Sequence, residues 1–385
     1  MNRAAMQAMA AGDMRGAQSI LLEALGRDQT GIGLWLNLSI VRRQLGDIDG
    51  AFAALRETLK LDSRNFQALL IQAALLDRLG QDLPAATAYG VALAQAPADR
   101  YLDAPTLKAV ERARAVHGKY IGELGNFIRD RAADTRSRCS PGERRRIEAF
   151  IDTTLRTRKR FQQQPVDYYY PGLPAIEFYD REEFPWLADF EAATGSVQQE
   201  LARILVEDEA GFGPYIDYED HMPLDQWREL NKSPRWSAFH FYKLGKLDEE
   251  RGRRAPATIG AIRRLPQAEV DLRSPTAMFS VLQPKTRIPP HTGVGNFRLV
   301  VHLPLVLPEG CGFRVGGEER VWRLGEAWVF DDTIEHEAWN DSDQVRIILI
   351  CDIWSPRLSG EERAAIRAVI SATDAFNGTV PPAHI

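Results

Sequence analysis

"PPHTGVGNFRLVVHLPL", residues 289–305, combines two histidines and an arginine with a run of alternating apolar residues. Side chains two positions apart in a β-strand share a face, so Arg298, Val300 and His302 point one way and the residues between them point the other. Polar side chains inside a barrel are costly to bury without a ligand or partner. The stretch therefore predicts a strand that lines a cavity, with His291 just before it as a candidate metal ligand.

Similar short runs continue through the carboxy-terminal half, rich in valine, isoleucine and aromatic residues: "AFHFYKLG", "TAMFSVLQP", "CGFRVGG", "EAWVFDD" and "VRIILICDIW". Their spacing between Pro and Gly turns is typical of an antiparallel β-sandwich or barrel of the jelly-roll type. In "VRIILICD", Arg346, Ile348 and Ile350 share a face, which can direct Arg346 into the same interior. His336 follows "VFDDTIE", just after a predicted strand, and could meet His291 at the barrel mouth as a second metal ligand.

The first hundred residues match themselves at a shift of 34, which indicates a repeat architecture. The matching positions are Gly12, Gly46 and Gly80, then Ala17, Ala51 and Ala85, then Leu25, Leu59 and Leu93. Glycine at a turn, a small residue where two helices cross and a large apolar residue near a helix end are what stacked helical hairpins need. The pattern resembles the tetratricopeptide repeat over about residues 1–97. Such repeats usually present a concave surface to a peptide or protein; the alternative is a scaffold that only stabilises or dimerises the chain.

The helical pattern continues from Ala104 to Gln163 and is interrupted at Pro141 and Gly142. Composition then changes abruptly in "QQQPVDYYYPGLP", which marks a domain boundary near residue 164. We therefore predict an α + β multidomain protein. Residues 1–163 form a helical solenoid like the tetratricopeptide repeat, with capping helices, and residues 164–385 form the β-rich domain.

Three motifs carry a family resemblance: "HTGVGNFRLVVHLPL", "GEAWVFDDTIEHEAWND" and "VRIILICDIW". Together they resemble the aspartyl/asparaginyl β-hydroxylase family of iron- and 2-oxoglutarate-dependent oxygenases, from about Tyr168 to Pro356. The resemblance implies a double-stranded β-helix, the jelly-roll fold of the cupins, in which His291 and His336 hold Fe(II).

Most members of the wider oxygenase superfamily add an acidic ligand, commonly two residues after the first histidine. In this chain that position is Gly293. The resemblance implies that glycine replaces the acid here, as it does in the family. Asp331, Asp332 and Glu335, close in sequence to the second histidine, remain alternatives as direct ligands.

The resemblance also implies which residues hold 2-oxoglutarate. Arg346 would bind the distal carboxylate of this cosubstrate, because arginine offers a two-pronged match to a carboxylate. Ser280 would assist it, and His302 matches a family position near the cosubstrate. Arg298 matches a family arginine and could hold the acidic side chain of a substrate. The chain departs from the animal enzymes at Val300, where they carry a further arginine.

These roles imply a dioxygenase that consumes O2 and 2-oxoglutarate and hydroxylates the β-carbon of an Asp or Asn residue in a peptide or protein, producing succinate and CO2. The repeats would help to hold that substrate. One alternative is the same chemistry on a lipid or a small molecule. Another is a non-catalytic protein in which a degenerate oxygenase domain supports repeat-mediated binding. Retention of both histidines, Ser280 and Arg346 favours an enzyme.

Composition limits the expected binding partners and the expected cellular compartment. A net charge of −5 gives no general attraction to nucleic acid or an anionic membrane, so we expect neither as a partner. Three cysteines without CxxC spacing indicate reduced thiols. The amino terminus lacks the apolar core of a signal peptide, and no run reaches the roughly 18 apolar residues of a membrane span. We therefore expect a cytoplasmic protein.

Overall fold

The computed structural model describes residues 1–208, 211–219 and 221–378, and the chain divides into two compact units, Met1–Leu155 and Arg156–Ile385. The boundary predicted near residue 164 lies inside the second unit. Arg158 pairs with Glu177 at 2.7 Å, and Phe161 packs against a hydrophobic cluster of the β-rich unit. These contacts explain why the segment after Leu155 belongs with the sheets.

The first unit is helical, as predicted. Its helices are α1 (Asn2–Ala10), α2 (Met14–Arg27), α3 (Ile32–Gln44), α4 (Ile48–Leu61), α5 (Phe66–Arg78), α6 (Asp82–Leu93), α7 (Ala104–Arg131), α8 (Ala133–Ser137) and α9 (Pro141–Thr154). The turn glycines of the repeat, Gly12, Gly46 and Gly80, have φ values of 81°, 83° and 66°. Only glycine adopts this left-handed conformation at low cost, which explains their recurrence. The three alanines that match under the same shift are fully buried.

The predicted interruption at Pro141 is present, because α8 ends at Ser137 and Pro141 begins α9, where Ser140 and Glu143 form a reciprocal capping box. Helix α9 ends at Thr154, so the predicted helical pattern up to Gln163 is wrong. No helix in the described ranges combines the length and the apolar character needed to cross a membrane.

The second unit contains helices and two antiparallel sheets. Its helices are α10 (Leu187–Ala192), α11 (Thr194–Glu207), α12 (Glu249–Arg254), α13 (Pro256–Ile262) and α14 (Gly360–Asn377). Its strands are β1 (Gly213–Pro214), β2 (Trp236–Lys243), β3 (Lys246–Leu247), β4 (Ala277–Leu282), β5 (Thr286–His291), β6 (Arg298–Val306), β7 (Cys311–Val315), β8 (Glu318–Arg320), β9 (Trp328–Phe330), β10 (His336–Asn340) and β11 (Arg346–Trp354). The larger sheet has the order β1-β2-β4-β11-β6-β9, with β3 paired to β2, and the smaller has the order β5-β10-β7-β8. The predicted α + β organisation with a jelly-roll domain is confirmed.

The hydrophobic core lies on the outer face of the larger sheet. Leu299 and Val301 of β6 and Leu349 of β11 are buried there against Leu201 and Ile204 of helix α11. Because residues alternate along a strand, the side chains between them face the smaller sheet. The helices thus cover one face and leave the other to line an interior.

Strand β5 was not predicted, because Pro289 and Pro290 lie within it. Among the described strands it pairs with β10 alone, at the edge of the smaller sheet, and an edge is where a sheet tolerates proline. His291 precedes β6 and His336 follows β9, as the sequence predicts, but His291 is also the last residue of β5 and His336 the first residue of β10. They are direct partners in the β5–β10 ladder.

Candidate functional site

A cavity of about 650 Å³ opens in the second unit between the two sheets. Its lining includes every side chain to which the family resemblance assigns metal, cosubstrate or substrate: Ser280, His291, Arg298, His302, His336 and Arg346. The larger sheet contributes four of them through β4, β6 and β11, and the smaller sheet contributes the histidine pair. Alternation along each strand explains why they share one interior.

The paired histidines have the protonation state that a metal needs. Their ring centroids lie 4.0 Å apart. Nδ1 of His291 lies 2.8 Å from the Pro289 carbonyl oxygen, and Nδ1 of His336 lies 3.1 Å from that of Ile334. Because a carbonyl only accepts, each Nδ1 carries the proton and each Nε2 keeps a free lone pair.

Both imidazoles are neutral at physiological pH. Burial, together with the neighbouring His336, holds the pKa of His291 well below its usual value, and burial lowers the pKa of His336 to about 4. Neutral imidazole nitrogen is a good ligand for iron, zinc and copper. Across the described residues, no group of three or more His, Cys, Asp or Glu side chains is placed to hold a metal.

The three acids named as alternative ligands are engaged elsewhere. Asp331 accepts hydrogen bonds from the backbone and hydroxyl of Thr333. Glu335 pairs with Arg314 at 3.0 Å. Asp332 accepts a hydrogen bond from Arg298 at 2.9 Å. A pair of histidines therefore fits the site better than a triad with one of these carboxylates.

Gly293 occupies the position, two residues after His291, at which most related oxygenases carry an acidic metal ligand. A Cβ atom at this position would lie 2.1 Å from Oδ2 of Asp332, much closer than any real contact. The Asp332 carboxylate thus fills the space that a side chain two residues after His291 would need. The position of Asp332 therefore requires glycine at residue 293, whether or not metal binding also requires it.

Replacing Gly293 with alanine is expected to displace Asp332 from Arg298. Overpacking of a buried site typically costs about 1–3 kcal/mol, and we expect a loss of unfolding free energy in this range by urea denaturation. Gly260→Ala is the matched control, because an added Cβ there meets nothing within 4 Å. Equal stability of Gly293→Ala and the wild type would show that the carboxylate is not held where the structure places it.

Arg346 is the most unusual charge in the cavity. Its side chain is 1% exposed, and its Nε and Nη1 atoms have no hydrogen-bond partner among the described residues. Burial lowers the pKa of its guanidinium to about 10, so it remains charged at neutral pH. The guanidinium lies 5.2 Å from the ring centroid of Trp322, which supports its face but supplies no anion. A buried charge without a counter-ion calls for an anionic ligand.

Ser280 and His302 lie in the same sheet on β4 and β6, the two strands that flank β11. The Ser280 hydroxyl accepts a hydrogen bond of 3.1 Å from Nε1 of Trp236, so its own proton is available to a ligand. His302 is buried, its Nδ1 has no partner among the described residues, and its ring stacks on Trp322. Burial and the charge of Arg346 hold the pKa of His302 well below its usual value.

Arg298 is more constrained than the sequence predicted. Its guanidinium donates to Asp332 at 2.9 Å and to Asp352 at 2.8 Å. Burial disfavours its charged form, but these two carboxylates raise the pKa of Arg298. Burial raises the pKa of both carboxyl groups, and the Arg298 guanidinium opposes that shift. The arginine that was expected to face a substrate acid is therefore already paired twice.

Several lining residues escaped the sequence analysis. Asp352 follows Ile350 by two positions in β11. The alternation that places Arg346, Ile348 and Ile350 on one face therefore also predicts that Asp352 faces the cavity. Trp236 and Tyr215 stack at 3.8 Å beside the histidine pair, but no motif indicates them. Trp322 lies between β8 and β9, outside any periodic pattern, so only the fold brings it to Arg346.

His240 lines the same cavity from β2 and provides a test of stability against pH. Burial, Lys243 and Arg251 lower its pKa from 6.5 to about 4. Because the folded-state pKa is depressed, its contribution to stability is complete above pH 6.5 and is lost as pH falls toward 4. From pH 7 to pH 5, wild type should lose about 2 kcal/mol more unfolding free energy than His240→Gln. Urea denaturation at both pH values measures the difference, and equal losses would contradict the assignment.

Comparison with known proteins agrees with this geometry. The family model described as aspartyl/asparaginyl β-hydroxylase matches residues 191–356, which include every side chain named in the cavity. This part of the chain is similar to the aspartyl/asparaginyl β-hydroxylase family. The human aspartyl/asparaginyl β-hydroxylase is 32% identical over 188 residues, which are 48% of this chain and 24% of the human protein.

A second relative has a different name. The ornithine lipid ester-linked acyl 2-hydroxylase of Rhizobium tropici is 30% identical over 188 residues, 48% of this chain and 62% of that protein. The chain thus spans about a quarter of the human enzyme and less than two thirds of the rhizobial one. A cupin 2 conserved barrel domain protein from Salinispora arenicola has 12% identity and a TM-score of 0.22, covering 41% of this chain and 99% of that one. That structural similarity is too low to bear on function.

Proposed function

We propose that the protein is an Fe(II)- and 2-oxoglutarate-dependent dioxygenase that hydroxylates the β-carbon of an Asp or Asn residue in a peptide or protein. The balanced reaction consumes one O2 and one 2-oxoglutarate. One oxygen atom enters the C–H bond of the substrate, and the other enters the succinate that forms together with CO2. The observation that carries the proposal is the buried, unpaired guanidinium of Arg346 in the cavity that also contains two neutral histidines.

The Arg346 end of the cavity suits a small dicarboxylate. Arginine presents parallel N–H donors that match the two oxygens of a carboxylate. The free proton of the Ser280 hydroxyl adds a further donor. His302, neutral and buried beside them, can accept or donate a hydrogen bond without adding charge. These groups would bind and orient 2-oxoglutarate by one carboxylate and leave its other end to reach the histidine pair.

The histidine pair would hold Fe(II) through Nε2 of His291 and Nε2 of His336. When bound, the metal supplies the oxidising chemistry that no side chain of the protein can perform. The Nδ1 hydrogen bonds to the Pro289 and Ile334 carbonyls fix the ring orientations, as outer-shell partners of metal-bound histidines usually do. Phe313 and Phe330 pack beside His336 and exclude water from that side of the site.

The charged end of the cavity favours a polar substrate over an acyl chain. Arg298, Asp332 and Asp352 are buried beside the histidines, and an aliphatic chain would have to lie against charges that it cannot solvate. The human relative and the rhizobial lipid hydroxylase have nearly equal identity to this chain, so overall similarity does not choose between their substrates. The local charge supports the peptide.

The helical repeats form part of the proposal as the element that binds the protein substrate. Hairpins repeated with left-handed turn glycines and buried crossing alanines build an extended surface, and such surfaces commonly bind peptides or proteins. Removal of residues 1–97 should then raise the KM for a protein substrate more than it lowers turnover of a short peptide.

A pool of randomised peptides with a central Asp or Asn tests the proposed function. Incubation with Fe(II), 2-oxoglutarate and O2 should add one oxygen atom to that residue, with one succinate formed for each oxygen added. Mass spectrometry locates the oxygen, and omission of Fe(II) is the control. Incorporation into an acyl lipid, with none into peptides, would contradict the peptide assignment while preserving the oxygenase.

A further inference from the structure

The charge balance beside the histidine pair indicates which side chain the site accepts. The side chain of Arg298 is 13% exposed, and those of Asp332 and Asp352 are 9% and 5% exposed. One guanidinium therefore faces two carboxylates in a buried group that excludes most water. Because its charge is already offset, Arg298 offers little attraction to a third carboxylate, and the group as a whole carries an excess negative charge.

Arg346 also lines the cavity, but 2-oxoglutarate would offset its charge, and no other cation in the described part of the sheet reverses this balance. Val300, the next cavity-facing residue of β6, carries no charge and lies opposite Asp352 in the ladder. Arg251 and Arg273 also line the cavity, but each is paired with an acid of its own, Asp248 and Asp374 respectively. Lys243 and Lys246 line it as exposed side chains of the β2–β3 hairpin, where water screens their charge.

The buried group of Arg298, Asp332 and Asp352 also contains a hydrogen-bond acceptor that has no donor. Oδ2 of Asp352 accepts from the Thr276 backbone N–H at 3.0 Å. In contrast, Oδ1 of Asp332 is buried and has no hydrogen-bond partner among the described residues. A ligand with an N–H group would satisfy this oxygen, whereas a ligand carboxylate would bring a like charge against it.

A nearby phenol can complete the recognition of an amide. Tyr215 lines the cavity, and burial together with Asp352 raises the pKa of its phenol, so it stays protonated and neutral. A carboxamide could donate its NH2 to Asp332 and accept at its oxygen from Tyr215. Both hydrogen bonds would be made without adding charge to the group.

We infer that the hydroxylated residue is asparagine and that aspartate is discriminated against, with Asp332 as the acceptor that selects the amide. This inference rests on the proposed function and narrows the substrate of that same site. A site built around a hydrogen bond rejects an analogue that cannot make it, and like charges brought together in a buried site add to that rejection.

The experiment uses the full-length protein loaded with Fe(II) and a peptide pool in which the central residue is an equal mixture of Asn and Asp. Mass spectrometry gives the ratio of hydroxylated Asn to hydroxylated Asp in the same reaction. We expect a ratio of about ten or more at pH 7.5. Val300→Arg places a second guanidinium opposite Asp352 and should lower the ratio by about tenfold. Val300→Leu, which changes size without charge, should leave the ratio close to that of the wild type.

Each outcome is decisive. Preference for Asn that Val300→Arg removes and Val300→Leu keeps supports the inference. Equal or greater hydroxylation of Asp in the wild type overturns it and leaves the peptide hydroxylase intact, so that the Asp332 acceptor must serve another donor such as water. Succinate formation without oxygen in either residue overturns the peptide substrate and, with it, this inference.

Discussion

His291→Ala should abolish Fe(II)-dependent formation of succinate. If His291 and His336 are the two protein ligands, as proposed, loss of one leaves the metal with a single side chain. Mutation of outer-shell partners alone costs about 10–100-fold in metal affinity, so loss of a ligand should exceed this range. We expect Fe(II) affinity to fall by more than about a hundredfold and turnover of 2-oxoglutarate to fall below detection, measured by anaerobic metal titration and by succinate release.

A second histidine provides the control for this variant. His221 is exposed, its side chain lies beside Glu219, and no role in metal binding is proposed for it. His221→Ala should bind Fe(II) and form succinate as the wild type does. Circular dichroism should show both variants folded. Normal turnover by a folded His291→Ala protein would remove His291 from the site.

Arg346→Met should raise the concentration of 2-oxoglutarate needed for half-maximal rate by about a hundredfold or more. The substitution removes the charge that would bind the distal carboxylate, and each hydrogen bond to a charged group contributes about 1.5–3 kcal/mol. Methionine keeps most of the volume, so the cavity wall stays filled. The measurement is the dependence of initial succinate release on 2-oxoglutarate at saturating Fe(II).

Stability gives an independent readout for the same residue. Arg346 is buried without a counter-ion, so its replacement by an apolar side chain should leave the Tm of the metal-free protein unchanged or higher. Arg346→Lys keeps the charge but loses the fork of parallel donors, and its cosubstrate requirement should lie between those of the wild type and Arg346→Met. An unchanged requirement in Arg346→Met would show that 2-oxoglutarate is bound elsewhere.

Local periodicity accounts for the parts of this molecule that sequence could predict. Alternation in one strand is enough to direct Arg298, Val300 and His302 to one side, because backbone geometry imposes a period of two whatever the rest of the chain does. The same holds for Arg346 in β11. The 34-residue repeat could be predicted for a similar reason, because Gly46 and its equivalents must adopt a conformation that few other residues tolerate.

Tertiary pairing accounts for the parts that sequence could not predict. Strand β5 forms because it pairs with β10 at a sheet edge, although the local propensity of Pro289 and Pro290 opposes a strand. The partners of Arg298 lie 34 and 54 residues away along the chain, and no local pattern indicates that they meet. The contact between Gly293 and Asp332 depends on the same folding. These long-range contacts set the charge of the site.

We propose that one cavity binds Fe(II) and 2-oxoglutarate together. An anaerobic titration of the metal-free protein with Fe(II), and then with 2-oxoglutarate, tests it through the visible charge-transfer absorption of the chelate. We expect a band that saturates near one equivalent of each in the wild type and is absent in His291→Ala. Folded wild-type protein that shows no band when oxygen is rigorously excluded would contradict this proposal.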